Sequence, residues 1–204
     1  MQKGIVLQLQ SEALNENVDI ETLLRKAYLV ARKLNLHEFE TWILNEQNGY
    51  KEAIPEYRTV RGEIKALNPY RGWMPVLLEG ELADALSKLP LSNPISFISE
   101  IYNGEKSVAF TINGELTESL NKMLEIQTKY CFISSKSELR KIISAVRNKV
   151  LEWSLLLEEN GIIGADLQFS QDEINTAHTS QVINNFTNNF FSSAKDTNIQ
   201  QGNT

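Results

Sequence analysis

Residues 55–78 of the chain read PEYRTVRGEIKALNPYRGWMPVLL, and this stretch decides the fold class. Between Val60 and Ala66, apolar or small residues alternate with charged ones. A period of two is typical of a strand with one face in solvent. The turn-forming pairs Asn68-Pro69 and Arg71-Gly72 follow, and residues 73–78 are apolar enough to return as a second strand. The stretch therefore predicts a β-hairpin.

Upstream of the hairpin, the sequence predicts three helices. The first covers residues 5–14 and the second follows N-cap chemistry at Asn17 and Asp19. Its apolar residues from Leu23 to Leu34 recur at the spacing of one buried helical face. A third helix begins near Leu36 and ends at Asn48-Gly49, where the glycine suits a left-handed cap.

Downstream of the hairpin, shorter elements lead to one long helix. Helical patterns cover residues 80–89, 95–103 and 116–126, strand patterns cover 107–112 and 129–133, and a turn is predicted at Asn113-Gly114. From Ser135 to Gly161 apolar residues keep helical spacing, so we expect this helix to lie against the sheet at the centre of the core. The chain is predicted to be α+β, with an N-terminal helical hairpin and a long C-terminal helix packed on a small mixed or antiparallel sheet.

The domain is predicted to cover residues 1–170 and to be followed by a polar tail, residues 171–204. Ser170 and Glu173 have the spacing of a capping box, which predicts a helix start. The tail is then rich in Asn, Thr, Ser and Gln, yet it retains large apolar side chains. We expect these to drive oligomerisation or, alternatively, to belong to a partly flexible terminus; they are Val182, Ile183, Phe186, Phe190, Phe191 and Ile199.

Composition limits the compartment and the class of partner. Cys131 is the only cysteine among 204 residues, so an internal disulfide is excluded and a cytoplasmic location is expected. The sequence has neither a signal peptide nor a long apolar run, which predicts no direct membrane insertion. Its formal net charge of −6 makes nucleic acid a less favoured partner than protein.

Motifs of known catalytic sites are missing from the sequence, so we expect no cofactor and no metal and favour a protein that is not an enzyme. One pattern keeps an alternative open. Glu63-Ile64-Lys65 matches half of a Mg²⁺-dependent nuclease site, although a second carboxylate on a neighbouring strand is not evident. Cys131 lies in an apolar strand pattern and is predicted to be a buried, inert thiol.

The hairpin also carries the candidate binding residues. Arginine and aromatic side chains together suit recognition of a phosphate, a nucleotide or a protein. The hairpin supplies six such residues, and the long helix would add two if it packs behind the hairpin. The predicted binding surface comprises Tyr57, Arg58, Arg61, Tyr70, Arg71, Trp73, Arg147 and Asn148.

Three collinear blocks of the sequence resemble the AbiTii domain of bacterial abortive-infection systems. They are residues 23–50, which include LLRKA and ARKL, residues 57–76, and residues 146–164, which begin VRNKVLEW. The resemblance implies a role in anti-phage defence and a companion defence protein or a phage protein as partner. It brings no established catalytic residues.

Three hypotheses follow. The first is a non-enzymatic component of an abortive-infection system that binds, regulates or assembles. The second is a nucleic-acid-damaging enzyme, such as a Mg²⁺-dependent nuclease, with Glu63 and Lys65 at its centre. The third is an oligomeric scaffold assembled through the tail, with a second copy of the chain as partner.

Overall fold

The computed structural model describes residues 4–104, 108–180 and 183. The helices are α1 (Ile5–Leu14), α2 (Ile20–Lys33), α3 (His37–Asn48), α4 (Gly80–Leu86), α5 (Ile95–Asn103), α6 (Gly114–Leu124), α7 (Lys136–Glu159) and α8 (Gln171–Thr179). The strands are β1 (Thr59–Asn68), β2 (Gly72–Pro75), β3 (Lys88–Pro90), β4 (Val108–Thr111) and β5 (Tyr130–Ser134). Single 3-10 turns occupy Glu56–Arg58 and Ala165–Leu167. The predicted α+β class is confirmed.

Local signals set the helix ends where the sequence predicted them. The Asp19 carboxylate accepts a hydrogen bond of 3.0 Å from the Thr22 N–H at the start of α2. At the end of α3, Gly49 has a φ of +90°, a conformation that residues with a Cβ rarely adopt. Asn113 belongs to a helix start rather than to a free turn, because its side chain accepts from Leu116 N at 2.8 Å and caps α6.

The sheet is antiparallel throughout, with strand order β2-β1-β5-β4 and with β3 paired to the first residues of β1. The hairpin is confirmed, and its register places Leu67 opposite Trp73. Gly62 lies opposite Ser134 on β5. A Cβ on Gly62 would come within 2.3 Å of the Ile133 carbonyl oxygen, so the close approach of these two strands requires glycine.

The segment 80–89, predicted as one helix, is divided in the structure. Helix α4 ends at Leu86, and Lys88–Pro90 forms β3 against β1. Three residues are too few to show a period, and only the pairing with β1 makes them a strand. The prediction was therefore wrong at the end of this helix.

Helix α7 is central to the core, as predicted, but its main neighbours are helices. It packs chiefly against α1 and α5, and β1 makes a smaller contact with it. Trp153 stacks on Phe39 of α3 with ring centroids 3.9 Å apart. An apolar stripe shows that a face is covered but not by which element, so the sequence could not distinguish a helix layer from the sheet.

The segment after α7 returns to the domain. Ser170 and Glu173 form the predicted capping box at the start of α8. Ala177 and Ile183 are buried in the hydrophobic core of this same chain, so Ile183 is not exposed to a second subunit. The other predicted tail contacts, Val182, Phe186, Phe190, Phe191 and Ile199, lie outside the described residues.

Candidate functional site

The β1–β2 hairpin exposes large apolar side chains over a short stretch. Tyr70 is 96% exposed, Leu77 is 91% exposed and Trp73 is 44% exposed. Trp73 and Met74 are neighbours on β2, so their side chains point to opposite faces of the sheet, and both are exposed. Both faces of the hairpin end are therefore partly open to solvent. We call the exposed apolar side chains of this segment, Tyr70, Trp73, Met74 and Leu77, the hairpin patch, in which Leu77 follows the end of β2.

Trp73 also borders an apolar groove of about 400 Å³ on the sheet. Ala109 and Thr111 of β4 and Cys131 of β5 lie in the lining of this groove. Cys131 is 7% exposed, and burial raises the pKa of its thiol although Lys65 acts in the opposite direction. The groove thus offers an apolar recess beside a projecting aromatic side chain.

The turn of the hairpin is held by its own side chain. The Asn68 side-chain oxygen accepts hydrogen bonds from the backbone N–H groups of Tyr70, at 2.9 Å, and Arg71, at 3.0 Å. Gly72 has a φ of +77°, which favours glycine at the position where β2 begins. Arg71 is exposed and forms no salt bridge with any residue that the structure describes. The hairpin tip therefore presents one positive charge among aromatic and aliphatic groups.

The eight residues predicted as one binding surface are divided among several places. Tyr70, Arg71 and Trp73 do lie together on the hairpin. Arg58 is fully buried and Tyr57 is half-buried, so neither belongs to an open surface with the hairpin tip. The sequence period could not reveal this because both residues precede the first alternating residue of β1.

Arg58 and Tyr57 instead belong to a buried polar network centred on Glu46 of α3. The Arg58 guanidinium donates to Glu46 Oε2 at 2.8 Å and to the Asn93 carbonyl at 2.5 Å. The hydroxyls of Tyr50 and Tyr57 donate to Glu46 Oε1 at 2.6 Å and 2.5 Å. We call Trp42, Glu46, Tyr50, Tyr57 and Arg58 the glutamate network, since Trp42 Nε1 also donates to the Tyr57 hydroxyl at 2.9 Å.

Both tyrosines of the glutamate network remain protonated donors. Burial, and then the Glu46 carboxylate, raise the pKa of the Tyr50 and Tyr57 hydroxyls far above the ordinary value. Arg58 Nε is buried and has no hydrogen-bond partner among the residues that the structure describes. The network joins α3, the 3-10 turn before β1 and the loop before α5 by side-chain contacts rather than by secondary structure.

Arg147 of α7 contacts the loop between α1 and α2 and lies apart from the hairpin. Its guanidinium donates to the carbonyl oxygens of Asn15, at 3.2 Å, and Val18, which lie in the loop between α1 and α2. It therefore holds the loop between α1 and α2 against α7. Asn148 is exposed on α7 and lies outside this contact.

Arg61 is exposed on a second groove, of about 540 Å³, between β1, β3 and α7. Lys88 of β3 and Lys141 of α7 line the same groove. Further along α7, the Lys149 ammonium lies 4.9 Å from the centroid of the Tyr57 ring. We call the space lined by Arg61, Lys88 and Lys141, with Lys149 beside it, the cationic groove.

The half-motif Glu63-Ile64-Lys65 forms an internal ion pair. Lys65 Nζ lies 2.9 Å from Glu63 Oε1. Within residues 4–104 and 108–180, no three His, Cys, Asp or Glu side chains are gathered closely enough to hold a metal ion. In the same part of the chain, no helix combines the length and apolar character needed to cross a membrane.

Sequence reasoning missed three contributors to these sites. Glu46 was not singled out in the sequence, although it is fully buried and anchors the glutamate network. Lys88 was assigned to a helix, so its pairing opposite Arg61 was not foreseen. Leu77 was assigned to the return strand, whereas β2 ends at Pro75 and Leu77 is 91% exposed. The one available signal was the density of large apolar residues after the turn, which a hairpin of this size cannot cover.

Comparisons with known proteins identify the family of this chain by one family model. Curated proteins and solved structures each gave no significant match. The family model AbiTii matches residues 4–182, a range that includes both grooves, the hairpin patch and the glutamate network. Since this range covers well over half of the 204 residues, the chain belongs to the AbiTii family.

Proposed function

We propose that this protein is a non-catalytic binding component of an abortive-infection (anti-phage) system. Membership of the AbiTii family supports the defence role. The hairpin patch is the observation that supports a binding role, because Tyr70 and Leu77 are almost fully exposed on one short segment. Clustered exposed apolar side chains on a folded protein mark interaction sites more often than chance.

The composition of the hairpin patch favours a protein partner. Tyrosine, tryptophan and arginine are the residues that most often dominate the binding free energy of protein interfaces. Tyr70, Arg71 and Trp73 place all three at the tip of one hairpin, held by the Asn68 turn. A projecting hairpin of this kind fits a concave surface of another protein.

Charge narrows the chemistry of that partner. Arg71 has no salt bridge within the described residues, while the chain as a whole carries a formal net charge of −6. An acidic group beside an apolar recess in the partner would pair with Arg71 and would be repelled by most other faces of this protein. The partner is therefore a protein with an apolar cleft edged by acidic side chains.

The test is a triple substitution in the hairpin patch, Tyr70→Ser with Trp73→Ser and Leu77→Ser. These side chains are exposed, so the far-ultraviolet circular dichroism and the thermal midpoint should stay close to those of the parent protein. Phage plating efficiency should return to that of unprotected cells, because the anchors of the interface are gone. The measurement is plaque counts on cells in which the parent protein confers resistance.

A matched control removes three exposed apolar groups elsewhere. Leu14, Met123 and Ile126 are 69%, 46% and 55% exposed, and all three changed to Ser should leave protection intact. A photo-reactive amino acid at position 77 should yield a cross-linked adduct of one discrete mass, and the same group at position 126 should not. Normal protection by the hairpin triple variant would refute the proposed role of this patch.

A further inference from the structure

We infer that the cationic groove binds a short polyphosphate, such as the phosphate chain of a nucleoside di- or triphosphate. This inference goes beyond the proposed protein-binding role, because the groove and the hairpin patch share no lining residue. It rests on the pairing of two like charges, on the construction of the groove walls and on the size of the groove.

The first observation is a pair of like charges in direct register. Arg61 of β1 and Lys88 of β3 are Cα partners in an antiparallel ladder, so their side chains lie on the same face. Like charges directly opposite each other destabilise a strand pair. Neither Arg61 nor Lys88 forms a salt bridge with any residue in the described ranges 4–104 and 108–180. An anion between them would remove that repulsion.

The second observation is that α7 brings further cations to the same place. Lys141 lines the groove, and Ala145, one turn on, leaves space where a larger side chain would fill it. Lys149, one further turn along α7, lies over the Tyr57 ring. Two strands and a helix therefore direct positive charge toward one recess, whereas the opposite face of α7 uses Arg147 to bind backbone carbonyls.

The groove walls are fixed to each other by Glu138, which lies in the first turn of α7. Its Oε2 accepts a 3.0 Å hydrogen bond from the Arg61 backbone N–H, and its Oε1 accepts from Lys141. The bonds from Lys141 and then Arg61 lower the pKa of Glu138 despite its burial. Glu138 thus stays charged and neutralises Lys141 in part, which leaves Arg61 and Lys88 as the principal charges for a ligand.

Size and net charge favour a small ligand over a nucleic acid. A volume of about 540 Å³ lies within the usual range for small-molecule sites. A chain with a formal net charge of −6 repels an extended polyanion, whereas a short polyphosphate meets only the local cations. Glu56 also lines the groove, and its negative charge opposes an anion there. Removing that charge should therefore strengthen binding.

The direct test is calorimetric titration of the full chain with inorganic tripolyphosphate and with ATP at low ionic strength. We expect saturable binding of both, because both present a chain of phosphate groups to the groove. Lys88→Glu and Arg61→Glu should each weaken tripolyphosphate binding by about tenfold at low ionic strength, because each replaces an attractive charge on the groove with a repulsive one. Glu56→Gln should strengthen it.

The matched control is Lys122→Glu, an equal charge change on an exposed residue of α6. If Lys122→Glu weakens binding as much as Lys88→Glu does, the effect is one of net charge and the site is refuted. Absence of saturable binding by the parent protein also refutes it. A single-stranded oligonucleotide that binds more tightly than ATP and is lost in Lys88→Glu would overturn the small-ligand assignment.

A second measurement uses thermal stability instead of calorimetric titration. Lys88→Thr removes the like-charge repulsion, so in phosphate-free buffer its thermal midpoint should be higher than that of the parent protein. Added tripolyphosphate should raise the midpoint of the parent protein but not that of Lys88→Thr. An equal rise in both proteins would refute the groove as the binding site. Because the hairpin patch is unchanged in Lys88→Thr, failure here leaves the proposed protein-binding function untouched.

Discussion

At the scale of single residues, the Glu46–Arg58 pair is the most unusual feature of the core. Both side chains are fully buried, and a buried charge is tolerated only when hydrogen bonds replace the lost water. Glu46 receives such bonds from Arg58 and from two tyrosines, and Arg58 also reaches the Asn93 carbonyl. We infer that the pair fixes how α3 meets the start of β1, since a purely apolar contact would permit more than one arrangement.

We predict that Arg58→Ala lowers the free energy of unfolding by about 3–5 kcal/mol, because it leaves the Glu46 carboxylate buried without its cation. Glu46→Gln should lower it by a comparable amount by leaving Arg58 unpaired. The double variant Glu46→Gln with Arg58→Ala should lose less than the sum of the two single losses, since neither charge remains. Urea denaturation of the four proteins measures this cycle. Additive losses would show that the two side chains act independently.

At the scale of elements, Glu173 joins three parts of the chain. Its Oε1 accepts from the backbone N–H of Ile163, at 2.8 Å, and of Gly164, at 2.9 Å, and its Oε2 accepts from Ser170 N at 2.7 Å. Burial raises the pKa of Glu173, but these backbone hydrogen bonds outweigh burial, so the net direction is downward. The carboxylate therefore links the start of α8 to the segment that follows α7, at Ile163 and Gly164.

We predict that Glu173→Gln lowers the free energy of unfolding at pH 7 by about 1–2 kcal/mol, as expected for a lost cap with charge-assisted hydrogen bonds. The folded-state pKa lies below the unfolded one. The contribution is therefore complete above the unfolded pKa and disappears as the pH falls through the folded pKa. The difference between the parent protein and Glu173→Gln should accordingly shrink in acid. Chemical denaturation between pH 7 and pH 3 measures it.

The control for this prediction is Asp172→Asn. Asp172 lies beside Glu173 in the same first turn and is exposed. An equal loss in Asp172→Asn would mean that charge near the helix start, rather than the four-point attachment of Glu173, is responsible.

The elements show what a sequence can and cannot reveal. The hairpin, the cap at Asp19, the cap at Gly49 and the capping box at Ser170 were predictable because each depends on residues within a few positions of one another. The strand at Lys88 was not, because it exists only through its pairing with β1. The same limit applied to the candidate sites. The tip of the hairpin is local and was found, whereas Glu46 meets Arg58 across 12 positions and Arg61 meets Lys88 through a tertiary pairing.

At the scale of the whole molecule, charge is distributed unevenly. Residues 136–150 carry five basic and one acidic side chain, while residues 151–180 carry six acidic ones and no lysine or arginine. The cationic groove uses the first of these segments. If an assembly brings residues 151–180 of two copies together, their negative charges repel each other. Salt would screen this repulsion.

The predicted role of the tail in assembly can be assigned to the residues after Ile183. Ala177 and Ile183 are buried within the chain, so a truncation that tests the tail without damaging the core must begin after Ile183. Residues 184–204 retain Phe186, Phe190 and Phe191 among polar neighbours, and each aromatic ring can bury roughly 150–250 Å² in an interface. We therefore expect the full chain to self-associate through these three side chains.

The corresponding experiment compares the full chain with a chain that ends at residue 183, by light scattering. The full chain should exceed its monomer mass of 23.2 kDa, and the shortened chain should have the mass of a monomer. Higher salt should strengthen association of the full chain, because it screens the acidic segments but leaves aromatic contacts intact. Phe186, Phe190 and Phe191 all changed to Ser should reproduce the truncation at full length. A monomeric full chain, or an unchanged mass in both variants, would contradict assembly through the tail.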